Sequence, residues 1–483
     1  MRALTLFTFL ITLASALPCW PQEPFTLEKY LSQVETNNQD IRSVNFSIMS
    51  IDQKIQEVDT AYVPFLGAGL SYTKDKSGPG LNSTLPTKEM DIVGLNVGIN
   101  KKWRTGTSLS FTYTDMLASL DLLTPTQVIG PDKVTSLAGF QIKPSVRIDQ
   151  SLIKDTKNGL TQAGIGKAKA SALSGRYLLL FRKQQILQQA RAAYWALSLS
   201  REVVEFRALS LERAQQVLVW NENKVKLDLA EKSDLYQAQA AYKLRQLLLQ
   251  QAVEDEEKAR RRFNEFRGAT SSTVDESVEK IADVVDNNAG VATLVKAGER
   301  ADVLSAVASL ESMQFARKEA FLRTGHDVSV FGSAAFSGLD TSYAGTWEQV
   351  LSIDKPIIAV GVMYTTPLNF SISRTVRKGY ENDLNAAREN LAKAQLSSQN
   401  AWDELVRAWN EVKVRLALAR EIRDIQSLRL EEEQRKSQRG RTTTFLRLNA
   451  ENDLDDATLN VYRLAFEELM VLAQVELYST KPF

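Results

Sequence analysis

Residues 93–100 read VGLNVGIN, so an apolar side chain and a small or polar residue alternate along the whole stretch. Three further segments alternate in the same way, at residues 66–72, 108–114 and 140–149. A period of two places one face of a strand in an apolar medium and the other face in a polar one. A half-buried soluble sheet and the wall of an outer-membrane barrel both produce this pattern, and the segments are about as long as a tilted spanning strand needs.

Long helical stretches surround these segments. Residues 155–267 contain no proline, and their apolar residues recur at intervals of three to four positions between charged and amide side chains. A helix of roughly 70 residues would extend about 105 Å, which fits a coiled coil or a helical tube rather than a compact core. A break is expected at residues 227–233, where Ser233 or Asp234 could cap a second, shorter helix that ends at Gly268.

The order of these elements occurs twice along the chain. Residues 39–43 (QDIRS) have a counterpart in residues 301–305 (ADVLS), and each segment leads to alternating residues and then to a long helix. Repetition of this kind indicates a duplicated architecture, so we expect an internally duplicated α+β protein. The predicted parts are a first repeat at 25–268 with strands at 65–150 and a helical hairpin at 155–267, a linker at 269–291, and a second repeat at 292–480 with strands at 327–368 and a hairpin at 373–478.

The composition excludes several classes of function. The 483 residues carry 59 Lys and Arg against 58 Asp and Glu, a balance that argues against a nucleic-acid binder. One Cys excludes a disulfide framework or a multi-Cys zinc site, and one His leaves little material for a His-based catalytic triad. We therefore expect no catalytic residue, no metal and no cofactor. After the first twenty residues no apolar run is long enough for a spanning helix.

The first residues have the pattern of an export signal. A basic start and an apolar run at residues 3–13 precede the sequence ASA, which predicts a signal peptide at residues 1–16 and a mature protein outside the cytoplasm. Cys19 offers an alternative, because lipidation of this residue would anchor the chain to a membrane. Pro18 makes the segment before Cys19 a poor lipidation motif, and both alternatives stay open.

Two tight turns between long helices resemble those of one known family. Residues 439–446 read RGRTTTFL and resemble the second-repeat turn of TolC-type outer-membrane efflux proteins. Residues 226–235 read KLDLAEKSDL and resemble the first-repeat turn, and residues 366–368 read TPL and resemble the junction between strand and helix. The resemblance extends over essentially all of residues 25–480 and rests on the order, duplication and spacing of these motifs.

This resemblance implies a homotrimer in the cell outer membrane. Each subunit would contribute strands to one shared transmembrane β-barrel and coiled-coil hairpins to one α-helical barrel that crosses the periplasm. A closed barrel is the only strand structure that satisfies its backbone in lipid. Members of the family usually contribute four strands each. The extra alternating hairpin in the first repeat either lengthens the barrel wall or packs elsewhere as a soluble hairpin.

The function that the resemblance implies is an outer-membrane exit duct of a tripartite efflux pump. Such a duct is a passive channel that docks onto a periplasmic adaptor (a membrane fusion protein) and an inner-membrane RND or ABC transporter. An outer-membrane channel for type I protein secretion is an alternative with the same features. A periplasmic coiled-coil adaptor or a structural stalk is the alternative of another class.

The resemblance also implies a gate at the periplasmic tip, where the helical hairpins turn. Asp234 matches a family position that helps to latch the closed tip, and a purely local capping role is the alternative. Arg441 is a candidate latch partner, with a solvated arginine as its alternative. The predicted tip residues are Ser233, Asp234, Gly440, Arg441, Thr442, Thr443, Leu446 and Asn449.

The family's acidic ring inside the tip is missing from its usual place. Leu446 and Asn449 occupy the positions that carry carboxylates in relatives. Asp453 and Asp456 lie one and two turns further along the same helical face, so we hypothesise that the ring has moved to them. The alternative is a solvated acidic run at residues 453–456.

Overall fold

A computed structural model describes most of the chain in two compact units. Among the described residues, one unit lies within 25–49, 176–304 and 393–480, and the other lies within 50–175 and 305–392. The predicted signal peptide and Cys19 lie outside the described residues. The described residues are 25–76, 87–122, 136–157, 159–287, 293–354 and 356–480.

The second unit contains an antiparallel sheet whose strands are β1 (Phe65–Asp75), β2 (Thr87–Lys102), β3 (Thr107–Leu122), β4 (Ser136–Ser151), β5 (Asp327–Phe336), β6 (Gly338–Asp340) and β7 (Pro356–Thr365). The order of the strands in the sheet is β1-β2-β3-β4-β5-β7, with the short β6 paired to β4. The predicted extra hairpin belongs to this sheet, since four strands precede the first long helix and two main strands precede the second.

The register of the sheet places the alternating apolar residues on one face. Side chains of directly paired residues lie on the same face of a sheet, and the pairing extends one apolar row across all six long strands. That row is Leu66, Ile99, Phe111, Val146, Ala334 and Ile358. Glycine, serine, threonine and asparagine occupy most of the opposite face on β1, β2 and β3. The predicted alternation therefore corresponds to a sheet with one apolar and one polar face.

The apolar face is exposed over much of its area within one chain. Leu70 on β1 and Val360 on β7 are each 78% exposed. Helix α7 (Tyr343–Leu351) covers part of this face, where Trp347 stacks on Tyr113 and the side chain of Ile142 is buried. Exposure of a contiguous apolar surface on this scale indicates contact with another protein or with lipid.

A tight turn at residues 103–106 joins β2 to β3. The backbone N–H of Trp103 donates to the carbonyl of Thr107 at 2.9 Å. Gly106 has φ +86, and a Cβ atom there would lie 1.6 Å from the backbone oxygen of Asp155. Glycine is thus required at this position both by the backbone angle and by the close approach of the segment after β4.

The helices include the two predicted long hairpins. The first consists of α3 and α4, and the second of α8 and α9, each pair joined by a short turn. Among the described residues, none of the helices combines the length and the apolar character needed to cross a bilayer. The helices are α1 (Leu27–Asn37), α2 (Gln39–Lys54), α3 (Leu160–Lys226), α4 (Lys232–Arg267), α5 (Ile281–Asn287), α6 (Ala301–Arg323), α8 (Phe370–Gln438) and α9 (Thr444–Val475).

Aromatic side chains form the centre of the first unit. The rings of Tyr30 and Phe263 stack with centroids 4.2 Å apart, and Tyr194 packs against both. The Tyr30 hydroxyl donates to the backbone oxygen of Phe263 at 3.0 Å, so the buried phenol is satisfied. Glu279 accepts hydrogen bonds from the backbone N–H of Leu27 and from the Tyr194 hydroxyl. This core ties α1 to α3, α4 and the segment after α4.

Candidate functional site at the turns of the helical hairpins

The turn of the first hairpin lies between α3 and α4. The backbone N–H of Leu229 donates to the carbonyl of Lys224 at 2.8 Å, which satisfies a free carbonyl at the end of α3. Asp228 adopts φ +53, in the left-handed region that aspartate tolerates better than most side chains. The turn is therefore closed by backbone bonds without a glycine.

The helix cap at this turn differs from the sequence prediction. Glu231 occupies the N-cap position of α4, with an extended backbone and no capping bond from its own side chain. Ser233 and Asp234 both lie inside the first turn of the helix, so the prediction that one of them is the cap is wrong. The Ser233 hydroxyl donates to the Glu231 carboxylate at 3.3 Å, and Asp234 places its negative charge near the positive end of the helix dipole.

The turn of the second hairpin is built from a glycine and a threonine cap. Gly440 has φ +67, the left-handed conformation that ends many helices. Thr443 is the N-cap of α9, and its side chain accepts a bond from the backbone N–H of Leu446 at 3.3 Å. Three of the predicted tip residues thus have local structural roles at this turn.

Thr442 reaches back to α8. Its hydroxyl donates to a carboxylate oxygen of Glu433 at 2.7 Å, and Lys436 contacts the other oxygen at 2.7 Å. The bond from Lys436 contributes most to lowering the pKa of the Glu433 carboxyl, and the bond from Thr442 lowers it further. Glu433 therefore stays ionised and closes the turn against α8.

The predicted latch pair is not formed within one chain. Among the described residues, neither the Asp234 carboxylate nor the Arg441 guanidinium has a side-chain partner. Asp234 is half-buried and Arg441 is exposed. Leu446 is exposed as well, and Asn449 is half-buried on the same helix.

The two hairpins are nevertheless held together close to their turns. The Thr444 hydroxyl at the start of α9 donates to the side-chain oxygen of Asn221 on α3 at 2.7 Å. One turn further along α9, Leu448 packs against Val217 of α3 and Ala238 of α4, and all three side chains are buried. Neither contact is predicted from the sequence.

A buried carboxylate links the two hairpins. Asp455 on α9 is only 1% exposed. One of its oxygens lies 3.0 Å from Arg213, and the other lies 2.6 Å from the Ser210 hydroxyl and 3.1 Å from Arg245. Arg207 is 3.8 Å from the same carboxylate. Cations from both helices of the first hairpin thus surround one anion of the second, which compensates for the loss of its hydration.

A second carboxylate accompanies it one turn earlier on α9. Glu451 is 2% exposed, and the nearest cationic atom is Arg447 Nε at 3.5 Å. Burial raises the pKa of this carboxyl, and the charges of Arg447, Arg213 and Arg245 only partly oppose the effect. Arg245 also donates to the side-chain oxygen of Asn452 at 2.6 Å. We call Asp455, Glu451 and the arginines around them the inter-hairpin charge cluster.

The acidic residues around Asp455 occupy three different environments. Asp453 pairs with Arg429 of α8 at 2.5 Å and is half-exposed, whereas Asp456 is exposed. The alternative of one solvated run is therefore wrong for Asp455. That Asp453 and Asp456 face a pore stays a prediction.

A weak sequence signal for the cluster does exist. Leu448, Glu451 and Asp455 follow one another at spacings of three and four, so the carboxylates share a face with a buried leucine. On α3, Ser210 and Arg213 are spaced in the same way. Charged residues on an otherwise apolar face indicate a buried partner of opposite charge. No group of three or more His, Cys, Asp or Glu side chains in the described part of the chain is placed to hold a metal ion.

The sequence matches no family model and no curated protein. The fold, however, is similar to those of solved outer-membrane channels. VceC of Vibrio cholerae aligns with a TM-score of 0.67 at 12% identity, over 94% of this chain and 96% of that one. CusC aligns with a TM-score of 0.65 at 10% identity, over 94% and 92% of the two chains. The open state of the MtrE channel of Neisseria gonorrhoeae aligns with a TM-score of 0.62 at 11% identity, over 94% and 88%.

The alignments cover nearly all of both partners, so they include the sheet as well as the hairpins. At such low identity the similarity establishes the fold. The resemblance that the turns and the repeated element order predict is confirmed at that level: the chain has the fold of the TolC-type outer-membrane efflux channels.

Proposed function

We propose that the chain is one subunit of a homotrimeric channel in the cell outer membrane that extends into the periplasm. The observation that carries the proposal is the sheet of six long antiparallel strands, one face of which is apolar and exposed. Lipid would cover such an apolar face, and further strands would satisfy the open edges of the sheet. The similarity of the fold to solved outer-membrane channels supports the same conclusion.

The channel is proposed to act as a passive exit duct. It docks onto a periplasmic adaptor and an inner-membrane RND or ABC transporter, which supplies the energy, and no bond of the cargo is made or broken. Type I protein secretion through the same kind of duct is the alternative. Export through a signal peptide at residues 1–16, with or without a lipid on Cys19, brings the chain to its membrane.

The gate is proposed to lie at the two turns. Among the described residues the side chains of Asp234 and Arg441 have no partner, so each is available to a neighbouring subunit. Contacts of this kind close the tip, and the hairpins move apart when those contacts break. Asp453 and Asp456 are proposed to give the narrow part of the pore its preference for cations, since a ring of carboxylates attracts them.

Single-channel recording in planar lipid bilayers tests the proposal. The purified full chain is expected to give discrete ion currents, whereas the absence of any current from a folded protein would contradict a channel function. The Asp234→Ala variant is expected to raise the single-channel conductance, and Glu257→Ala on the exposed side of α4 serves as its control. A variant with Asp453→Ala and Asp456→Ala is expected to lose cation selectivity, and unchanged selectivity would reject the acidic ring.

A further inference from the structure

The sheet ends in two open edges. β1 and β7 are the outermost strands, and in the part of the chain that the structure describes neither has a strand partner on its outer side. Nearly every residue of both strands is exposed. Each outer edge therefore presents a row of backbone N–H and C=O groups that no other strand satisfies.

Six strands cannot close on themselves into a spanning barrel. The smallest outer-membrane barrels have about eight strands, and an unpaired edge in hydrocarbon costs several kcal/mol for each unsatisfied backbone group. If the exposed apolar face lies in lipid, the two open edges must be paired by strands from outside this chain. A second copy of the chain supplies both kinds of edge.

The direction of the strands permits this pairing. All neighbours in the sheet are antiparallel, so β1 and β7 run in opposite directions at its two ends. When β7 of one copy lies beside β1 of the next copy, the new pair is antiparallel as well. An odd number of strands per chain would instead force a parallel seam.

The faces of the two edge strands also match. The row that begins at Leu66 on β1 ends at Ile358 on β7, so the apolar sides of both strands belong to the same face of the sheet. The apolar residues continue along each edge strand at every second position. A seam between copies thus joins apolar face to apolar face, and the residues concerned are Leu66, Ala68, Leu70 and Tyr72 on β1 and Ile358, Val360, Val362 and Tyr364 on β7.

We propose that β7 of each subunit pairs with β1 of the next, and that three subunits close a barrel of eighteen strands. The count rests on the homotrimer of the proposed function and on the six long strands of each chain. It exceeds the twelve strands implied by four per subunit, because β2 and β3 lie within the wall. Barrel diameter grows roughly linearly with strand number, so this outlet is about one and a half times as wide as a twelve-stranded one.

Disulfide cross-linking tests the seam. In a Cys19→Ser background, Val360→Cys is combined in turn with a cysteine at each of the four apolar positions of β1. All four are tried because one chain does not show which residue of β1 would lie opposite Val360. Paired residues in adjacent strands are close enough for a disulfide. At least one combination is expected to produce covalent dimers and trimers after oxidation in the membrane.

The matched control combines Val360→Cys with Phe111→Cys. Phe111 lies on the same face, but its strand β3 already has β2 and β4 as neighbours, so no cross-link is expected. Cross-linking through Phe111, or through none of the β1 positions while the channel still conducts, would overturn the seam without affecting the channel function. A chain that gives no current would instead reject the proposed function.

Electron cryomicroscopy of the assembled protein in lipid nanodiscs tests the count directly. Eighteen strands around the barrel are expected, six from each subunit. A wall of twelve strands, with β2 and β3 folded away from it, would contradict the inference even if the protein is a trimeric channel. Any other count would contradict it as well.

Discussion

The sheet and the inter-hairpin charge cluster differ in whether their partners lie within the same chain. In the sheet, Leu70 and Val360 are largely exposed and both outer edges lack partners within the described chain. In the cluster, Asp455 is almost fully buried and its charge is satisfied by side chains of the same chain. One chain therefore holds its own hairpins together, whereas the apolar face and the two edges of its sheet have no partner among the described residues and are proposed to need lipid and further strands. Each of the following predictions tests one side of this contrast.

Removal of the buried carboxylate is expected to have the largest effect. Asp455→Ala leaves Arg213 and Arg245 close together without their shared anion, and breaking a buried ion pair in this way costs about 3–5 kcal/mol of folding free energy. Thermal unfolding followed by circular dichroism measures the loss. Asp453→Ala is the control, because the half-exposed pair of Asp453 with Arg429 is expected to contribute at most about 1 kcal/mol. Equal losses in the two variants would contradict the proposed difference.

A charge placed on the apolar face of the sheet tests the other side of the comparison. Leu70→Arg is expected to lower the stability of the inserted protein by about 2–4 kcal/mol, because the side chain would have to lie in hydrocarbon. Ser71→Arg on the next residue faces the polar side and is expected to change stability by less than about 1 kcal/mol. Urea unfolding from lipid vesicles measures both. Similar effects at the two positions would mean that the face does not contact lipid.

The bond between Thr444 and Asn221 tests how far the internal contacts extend towards the turns. Thr444→Val preserves the shape of the side chain but leaves the Asn221 oxygen without its donor, which is expected to cost about 1 kcal/mol. Thr458→Val is the control, since Thr458 donates only to the carbonyl of Leu454 within its own helix. The difference in unfolding temperature between the two variants is the measurement, and no difference would exclude a contribution from the bond.

The pH dependence of Glu451 is expected to be the smallest effect. Burial raises the pKa of this carboxyl in the folded state, so its contribution to stability is full at pH values below the unfolded pKa, near 4.3, and is lost as the pH rises through the folded pKa. At neutral pH, Glu451→Gln is therefore expected to be slightly more stable than the natural chain, and the advantage is expected to shrink on acidification. The unfolding temperatures of the variant and of the natural chain, measured from neutral pH down to acidic pH, test this expectation. A less stable variant at neutral pH would show that Arg447 and its neighbours fully compensate the buried charge.

The strands could be predicted from the sequence because their signal is local. The alternation at residues 93–100 and in the three similar segments is visible within each segment, because neighbouring residues of a strand point to opposite faces. Strands β1 to β4 lie where this alternation occurs. The pairing of β4 with β5 has no such signal, since almost two hundred residues separate Ser145 from its partner Ala335. The sequence therefore indicated the strands, including one hairpin beyond the four strands per subunit that are usual in the family. It did not indicate that all six long strands form one sheet.

The candidate site was predictable only in part for a related reason. Gly440 and Thr443 act through their own backbone and the next turn, and their residue types indicate those roles. Asp453, Asp455 and Asp456 are close in sequence, yet each successive residue of a helix turns by about 100°, so only Asp455 faces the first hairpin. The arginines that surround it come from two other helices, and one sequence does not show which helix faces which.

Spin labels along β1 test whether one face of the sheet contacts lipid while the other faces water. Single cysteines at residues 66 to 72, one at a time in a Cys19→Ser background, are spin-labelled and the protein is reconstituted into lipid. Labels at Leu66, Ala68, Leu70 and Tyr72 are expected to collide with oxygen dissolved in the bilayer, and those at Gly67, Gly69 and Ser71 with a water-soluble nickel chelate. Equal access of the chelate to all seven positions would contradict a lipid-facing sheet and, with it, the proposed channel.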